Sequence, residues 1–325
     1  MKRRTLSIAA APAAALLTLS LAACGGQNEP EAPKGGTDGN GGSVSGEVVV
    51  DGSSTVQPLT AAAGELFAEE QPGVNVSVAT SGTGGGFEKF CQGQTDISDA
   101  SRPIEAEEKE MCEKNGVEYT ELRIATDALT VVTSSENKFV DCLTVEELNK
   151  MWAPESEGKV TSWKDVNPKF PDEKLELYGP GTDSGTFDYF TEEINGEEGA
   201  SRSDYNASED DNVLVQGVSG SPYALGYFGY TYYEENADAL KAIKVDDGKG
   251  CVAPNPQTAA DGSYSPLSRP LFIYVANKSY DSKKHVAAFV DYYVENNDKI
   301  VDAAKFIPLN DDQATELKDA ASKLG

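Results

Sequence analysis

Residues 178–190 read YGPGTDSGTFDYF. Their first residue, Tyr178, ends the segment at residues 175–178 (LELY), which is typical of a β-strand. The centre of the stretch is rich in glycine, serine and threonine, and Phe187, Phe190 and Ile194 then recur at helical spacing. The pattern predicts a strand, a loop of small polar residues and a helix. Such a loop is either an ordinary helix cap or a cradle of N–H groups and hydroxyls that binds an anion.

Two more loops of this kind occur earlier in the chain. The apolar run at residues 48–50 predicts a buried strand and precedes residues 52–55 (GSST), after which a helical pattern begins. The alternating valines of residues 74–78 predict a second strand, which precedes residues 81–86 (SGTGGG) and another helix. A helix N-terminus offers free N–H groups, glycine lets the backbone approach a ligand, and hydroxyls donate hydrogen bonds. Three such loops favour an anion site over three unrelated caps.

The remaining pattern predicts an α/β protein with a parallel sheet, because strands, polar loops and helices alternate. We expect a short strand at Ile97, strands at residues 128–132 and 271–275, and helices at residues 143–151 and 286–293. Thr144, with Glu147 three residues later, is a predicted N-cap.

The N-terminus predicts export. Residues 1–23 combine a basic start with a short apolar segment, which is typical of a secretory signal peptide. Residues 21–24 (LAAC) resemble a bacterial lipobox, in which Cys24 becomes the lipidated first residue; the alternative is a plain signal peptide with a chance cysteine. Residues 24–45 are rich in glycine and polar residues and predict a flexible tether.

The charge of the chain disfavours nucleic acid as a partner. The formal net charge is -27, and the basic signal peptide carries +3, so the formal net charge of the mature chain is about -30. An anion site must therefore depend on local donors rather than on the field of the whole protein. No segment after the signal peptide is long and apolar enough to cross a membrane.

Four cysteines remain in this exported chain besides Cys24, which predicts two disulfides. Cys91 and Cys112 form the natural local pair, and Cys142 and Cys251 would then close a long loop. Four cysteines allow three pairings, and the sequence does not choose among them. A zinc site is disfavoured because the chain has one histidine and no C-x-x-C.

Several motifs together carry a family resemblance. The chain contains, in order, GSSTVQPLT, SGTGGGFEKFC, DISDASRPI and YGPGTDSGTFDYF, followed by SRSDYNASEDDNVLVQGV and ALGYFGY. Over nearly its whole length after the tether it resembles the PstS family, the phosphate-binding lipoproteins of bacterial phosphate ABC importers. The resemblance implies a two-lobed α/β periplasmic-binding-protein fold of type II, with two hinge crossings. It further implies an extracytoplasmic, membrane-anchored protein that clamps phosphate between its lobes, passes it to a permease and needs no cofactor.

The resemblance also implies the ligand-binding residues. They belong to the first loop, the glycine-rich loop and the loop of the second lobe, and are Ser54, Thr55, Ser81, Thr83, Ser184, Gly185 and Thr186.

Two positions depart from the family pattern. Family members commonly read alanine, serine and aspartate in the loop after the third strand, and that aspartate accepts the phosphate proton; this chain has Ala100-Ser101-Arg102. The place of the second-lobe arginine is held by proline or glycine, residues 180–181. We therefore expect Arg102 to replace the missing charge, and Asp99 or Asp183 to accept the proton. The alternatives are a surface role for Arg102 and a helix-capping role for Asp183.

The positions of the loops predict the lobes. Three ligand loops lie before residue 105, one lies near residue 184, and the strand at residues 271–275 is interpreted as a return crossing. Lobe one is predicted to comprise residues 46–127 plus 271–325, and lobe two residues 128–270. Arg202 and Asp204 belong either to the cleft or to a surface ion pair.

Two other functions compete with phosphate binding. A secreted esterase or phosphatase using Ser184 needs a base, but His285, the one histidine, lies in a lysine-flanked helical segment, and no G-x-S-x-G is present. We therefore predict that the protein is not an enzyme. The same fold with another tetrahedral oxyanion, such as sulfate, molybdate or a phosphonate, is the stronger rival because the loop after the third strand is substituted.

Overall fold

A computed structural model of the chain describes residues 44–182 and 184–324. The predicted signal peptide, nearly all of the predicted tether, Cys24 and Asp183 lie outside the described residues.

The described residues form twelve strands and thirteen α-helices. The strands are β1 (Gly46–Gly52), β2 (Val74–Thr80), β3 (Ile97–Ala100), β4 (Tyr119–Ser134), β5 (Cys142–Thr144), β6 (Glu176–Gly179), β7 (Asn206–Ala207), β8 (Ala224–Gly229), β9 (Leu240–Ala242), β10 (Lys244–Asp246), β11 (Cys251–Val252) and β12 (Ser268–Ala276). The helices are α1 (Gln57–Glu70), α2 (Gly82–Cys91), α3 (Ala106–Asn115), α4 (Val145–Trp152), α5 (Trp163–Val166), α6 (Gly185–Phe190), α7 (Asp211–Ser219), α8 (Tyr230–Glu235), α9 (Pro256–Ala260), α10 (Asn277–Ser282), α11 (Lys284–Glu295), α12 (Asn297–Ala303) and α13 (Asp311–Ala321). A 3-10 turn (Pro154–Ser156) and a π-helical segment (Thr191–Asn195) complete the list.

The long strand β4 connects the two halves of the main sheet. Its first part pairs with β12, and its last part pairs with β8 and β9. The strand order is β2-β1-β3-β12-β4-β8-β6-β7, with β9 beside β4, and a separate sheet has the order β11-β10-β5. Parallel pairing is confirmed for β1 with β2 and β3, and for β6 with β7 and β8. The prediction of a wholly parallel sheet is wrong for β4 and β12, which are antiparallel where the chain passes between the halves.

The hydrophobic core consists of separate clusters on the two sides of the β4–β12 connection. One cluster packs β1, β12, α1 and α11 together, with Leu59, Ile273 and Phe289 buried at its centre. Another surrounds Trp152 and Tyr227 beneath β6 and β8. The predicted lobe boundaries, 46–127 plus 271–325 and 128–270, remain a prediction.

Local sequence signals explain several elements. Thr144 caps α4: its Oγ1 accepts from Glu147 N at 3.1 Å, and the Glu147 carboxylate accepts from Thr144 N at 3.0 Å. Disulfides join Cys91 to Cys112 and Cys142 to Cys251, which settles the pairing. The first ties α2 to α3, and the second ties β5 to β11.

Over the described ranges, none of the helices has the length and apolar character that crossing a membrane would require. The same ranges contain no group of histidine, cysteine and carboxylate side chains that could hold a metal ion.

Candidate functional site

A cleft of about 480 Å³ gathers the polar loops that follow β1, β2 and β3. Its lining comprises Ser53, Ser54, Thr55, Ser81, Gly82, Thr83, Gly84, Ser101, Arg102 and Pro103 from these loops, and Asp188, Tyr189, Glu192, Glu193, Glu198, Arg269 and Pro270 from elsewhere. Residues 184–186 lie on the other side of Ser54 and Thr55, where all five line an adjoining cavity of about 350 Å³. The structure therefore brings the predicted loops together around the start of α1.

The first loop and the loop before α6 touch each other. Thr55 Oγ1 donates to the Gly185 carbonyl at 3.3 Å, and Ser54 Oγ donates to Asp188 Oδ2 at 3.3 Å. A Cβ on Gly185 would lie 2.8 Å from Thr55 N, so only glycine allows this approach. Ser184 caps α6, because its side chain accepts from Thr186 N at 3.2 Å. Ser54 and Thr55 thus present hydroxyls where the two halves meet.

The second loop, residues 81–84, also lines the cleft. Ser81 Oγ donates to Asp51 Oδ1 at 2.7 Å, so its hydroxyl is already engaged. Thr83 Oγ1 lies 3.0 Å from Ser101 Oγ and accepts from Ser101 N at 3.2 Å. These contacts connect the loop after β2 with the loop after β3.

The prediction that Asp99 lies in the cleft is wrong. Asp99 belongs to β3 rather than to the loop after it, and its side chain is fully buried. Its Oδ1 accepts from Thr60 Oγ1 at 2.9 Å, and within the described residues Oδ2 has no hydrogen-bond partner. Burial raises the pKa of Asp99 to about 8, opposed by the Thr60 hydrogen bond and reinforced by the nearby Asp51 carboxylate. Side chains alternate along a strand, and Asp99 points to α1.

Arg102 does line the cleft, but its guanidinium forms ion pairs with two neighbouring carboxylates. Its two terminal nitrogens donate to the Glu108 carboxylate at 2.9 and 2.8 Å, and its Nε lies 3.3 Å from Glu105. The Glu108 hydrogen bond and charge raise the pKa of Arg102. That Arg102 replaces the missing second-lobe arginine stays a prediction. Its guanidinium already binds the carboxylates of Glu108 and Glu105, which would compete with an anion in the cleft.

Arg269 is the functional candidate that the sequence reasoning missed. It lies on β12 with a side chain 14% exposed, and its Nη2 donates to Thr55 Oγ1 at 2.8 Å. Its guanidinium carbon lies 3.4 Å from the centroid of the Tyr189 ring, and its Nε lies 3.5 Å from Asp127 Oδ2. The available signal was an arginine two residues before the segment, residues 271–275, that was interpreted as the return crossing.

One wall of the cleft is acidic. Asp188, Glu192, Glu193 and Glu198 all lie in or just after α6. Burial raises the pKa of Asp188, and the Ser54 hydrogen bond and the Arg269 charge oppose this shift. Burial also raises the pKa of Glu193 and Glu198. The lining of the cleft therefore combines hydroxyl and guanidinium donors with four carboxylates.

Arg202 forms the predicted ion pair with Asp204, but its own side chain is buried and only Asp204 is exposed. Its side chain is 4% exposed, and its Nη1 donates to the carbonyls of Met151 and Val160 at 2.9 and 3.0 Å. Its Nη2 donates to Asp204 Oδ2 at 2.8 Å. Arg202 and Asp204 are absent from the described lining of the cleft, so the prediction that they reach it is wrong.

Comparison with known proteins identifies the family. A model described as the PBP superfamily domain matches residues 32–297. The chain is 51% identical over 267 residues to the protein SphX of Synechocystis, covering 82% of this chain and 79% of that one. It is 43% identical over 300 residues to the phosphate-binding protein PstS of Staphylococcus saprophyticus, covering 92% and 89%.

The fold agrees with a solved structure. The crystal structure of a possible phosphate-binding protein from Planctomyces limnophilus superposes with a TM-score of 0.82 at 46% identity, covering 87% of this chain and 99% of that one. The predicted two-lobed α/β periplasmic-binding-protein fold is therefore confirmed. Because the family match, the identities and the fold agree, the chain belongs to the PBP superfamily and, within it, to the family of PstS phosphate-binding proteins.

Proposed function

We propose that this protein captures inorganic phosphate in the cleft and delivers it to the permease of an ABC importer on the extracytoplasmic side. The observation that carries the proposal is the cluster of Ser54, Thr55 and Arg269. Hydroxyl and guanidinium donors from different elements converge there at the junction of the two halves. The PstS relative, named as a phosphate-binding protein, supports phosphate as the anion.

Binding exchanges internal contacts for contacts with the anion. The Ser54 hydroxyl leaves Asp188, and the Thr55 hydroxyl leaves the Gly185 carbonyl, so both become donors to phosphate oxygens. Arg269 supplies a charge-assisted donor that is already held against Thr55. The halves move about the two crossings, and closure surrounds the ligand.

Asp188 is the carboxylate that we assign to selectivity. It lines the cleft beside Ser54, whereas Asp99 is buried away from the cleft and Asp183 lies outside the described residues. Phosphate near neutral pH carries a proton that a carboxylate accepts, and sulfate carries none. Because the wrong ligand leaves polar groups unpaired, such a site rejects it strongly.

The enzyme alternative has less support. The Ser184 side chain accepts the Thr186 N–H as a helix cap. The one histidine, His285, has its Nε2 3.1 Å from the carbonyl of Glu47 on β1. We therefore infer a binding protein that carries out no catalysis and needs no cofactor. No specific observation favours sulfate, molybdate or a phosphonate over phosphate.

We further infer that Cys24 carries acyl chains such as palmitate and anchors the protein to the membrane. A single acyl chain anchors only marginally, so more than one is expected. Mass spectrometry of the native protein tests this: an unmodified Cys24 would remove the anchor from the proposal.

Calorimetry of protein stripped of bound anions tests the ligand. Titration with phosphate should show saturable binding at one site, and sulfate should bind at least about a thousandfold more weakly. Tight sulfate binding would overturn the phosphate assignment. Turnover of a chromogenic phosphate ester that disappears in Ser184→Ala would instead establish an enzyme.

A further inference from the structure

A buried carboxylate stands behind the arginine of the cleft. Asp127 on β4 is the direct cross-strand partner of Arg269 on β12. The Asp127 side chain is 5% exposed, and its Oδ2 lies 3.5 Å from Arg269 Nε. Both atoms are buried, and the described residues provide neither with a hydrogen bond. The two charges therefore face each other across the strands at the place where the chain passes between the halves.

Burial makes this arrangement costly unless the two groups compensate each other. Desolvation raises the pKa of Asp127, and the positive charge of Arg269 opposes that shift. An unpaired buried charge is strongly destabilising, so Asp127 depends on Arg269.

Arg269 is held on three sides. Asp127 lies at its Nε, the ring of Tyr189 lies against its flat face, and Thr55 accepts from its Nη2 at 2.8 Å. Tyr189 itself is fixed, since its hydroxyl donates to the Pro266 carbonyl at 2.6 Å. A guanidinium held in this way keeps its donors in one orientation and loses little freedom when an anion binds.

We propose that Asp127 is a positioning residue for the anion site and acts through Arg269. It fixes the Nε edge of the guanidinium, so that the Nη edge faces Thr55 and the bound anion. Asp127 is not among the residues that line the cleft, whereas Arg269 is, so its effect on the anion is proposed to pass through Arg269. This inference rests on the proposed function, because the anion is taken to be phosphate.

A double-mutant cycle tests the proposal by calorimetry with phosphate. Asp127→Asn should weaken phosphate binding on the order of 10- to 100-fold, by analogy with groups that orient the ligands of a bound metal ion. Arg269→Gln should weaken binding more, and the double variant should bind no more weakly than Arg269→Gln alone. Arg269→Lys provides a second variant that keeps the charge and the Asp127 carboxylate. It should also lose affinity, because an ammonium lacks the planar fork that contacts Asp127 and Thr55 together.

Asp204→Asn is the matched control. It removes a carboxylate from Arg202, another buried arginine that lies outside the described lining of the cleft. It should reduce stability and leave phosphate affinity unchanged.

A second readout does not need the ligand. Residues 44–325 contain four arginines, at positions 102, 123, 202 and 269, so the Nε–H signal of Arg269 can be assigned by NMR. Asp127→Asn should shift that signal and speed its exchange with water, while Asp204→Asn should not.

Three results would overturn the proposal. The first is wild-type phosphate affinity in folded Asp127→Asn. The second is an equal loss of phosphate affinity when Asp127→Asn is made in the wild type and in Arg269→Gln, which would indicate a general structural role for Asp127. The third is tighter binding in both backgrounds, which would indicate that Asp127 acts only as a repelling charge. Absence of phosphate binding by the wild type would refute the proposed function. The Nε–H signal of Arg269 would still show whether Asp127 orients the Arg269 guanidinium.

Discussion

The buried Asp99 carboxylate should make the stability of this protein fall as the pH rises. Its pKa is raised from 3.8 to about 8 in the folded protein, chiefly by burial. A raised pKa means that the folded state binds the proton more tightly than the unfolded state. The contribution to stability is complete below pH 3.8 and is lost as the pH rises towards 8. Each pKa unit corresponds to about 1.4 kcal/mol, so the loss reaches about 4 kcal/mol at pH 7.

The variant Asp99→Asn removes this titration while keeping an acceptor for the Thr60 hydroxyl. The difference in unfolding free energy between variant and wild type should therefore change in favour of the variant by about 1.4 kcal/mol per pH unit from pH 5 to 7.5. At low pH, where Asp99 is protonated in both states, Asp99→Asn should be slightly less stable than the wild type, because its buried amide N–H groups lack a hydrogen-bond partner.

Urea denaturation at four pH values between 5 and 8 measures this difference. Asp238→Asn, which changes an exposed aspartate, is the control and should follow the wild type at every pH. A pH-independent difference between Asp99→Asn and wild type would refute the reasoning, because Asp99 would then be ionised in the folded state throughout the range.

The remaining predictions concern the cleft. Arg102→Ala should weaken phosphate binding less than Arg269→Gln, since Glu108 already shares the Arg102 charge; calorimetry that reverses this order would restore Arg102 as the main cation. Asp188→Asn should reduce the preference for phosphate over sulfate in competition titrations, whereas Glu192→Gln, which removes the same charge from the same wall, should change both affinities alike. Because the chain carries a net charge of -27, added salt should speed phosphate association in stopped-flow experiments, and slowing by salt would indicate a locally attractive field.

The loops of the site were predictable because their signals are local. Runs such as residues 48–50 and the alternating valines of residues 74–78 specify strands, and the glycines and hydroxyl residues that follow specify the start of a helix. The capping box at Thr144 is equally local, since its two hydrogen bonds span three residues. These signals need no knowledge of the distant parts of the chain.

The error at Asp99 has a different origin. Side chains alternate along a strand, so moving the end of β3 by one or two residues changes which side chains face the cleft. Ile97 indicated a strand but not where it ends. The strand in fact continues to Ala100, and Asp99 turns towards Thr60 on α1. The boundary of a four-residue strand is therefore sufficient to decide whether a carboxylate binds a ligand or lies in the core.

Arg269 and Asp127 were missed because antiparallel register, rather than any nearby motif, brings them together. Arg269 pairs with Asp127 across β12 and β4, and its tip reaches Thr55 in the first loop and Tyr189 in α6. These four residues come from four separate elements, so no window of sequence contains the arrangement. A family pattern that places its arginine just before the serine-glycine-threonine motif directs attention away from it. In this chain the positive charge at the junction comes from a crossing strand, which places it against Thr55 of the first loop and Tyr189 of α6.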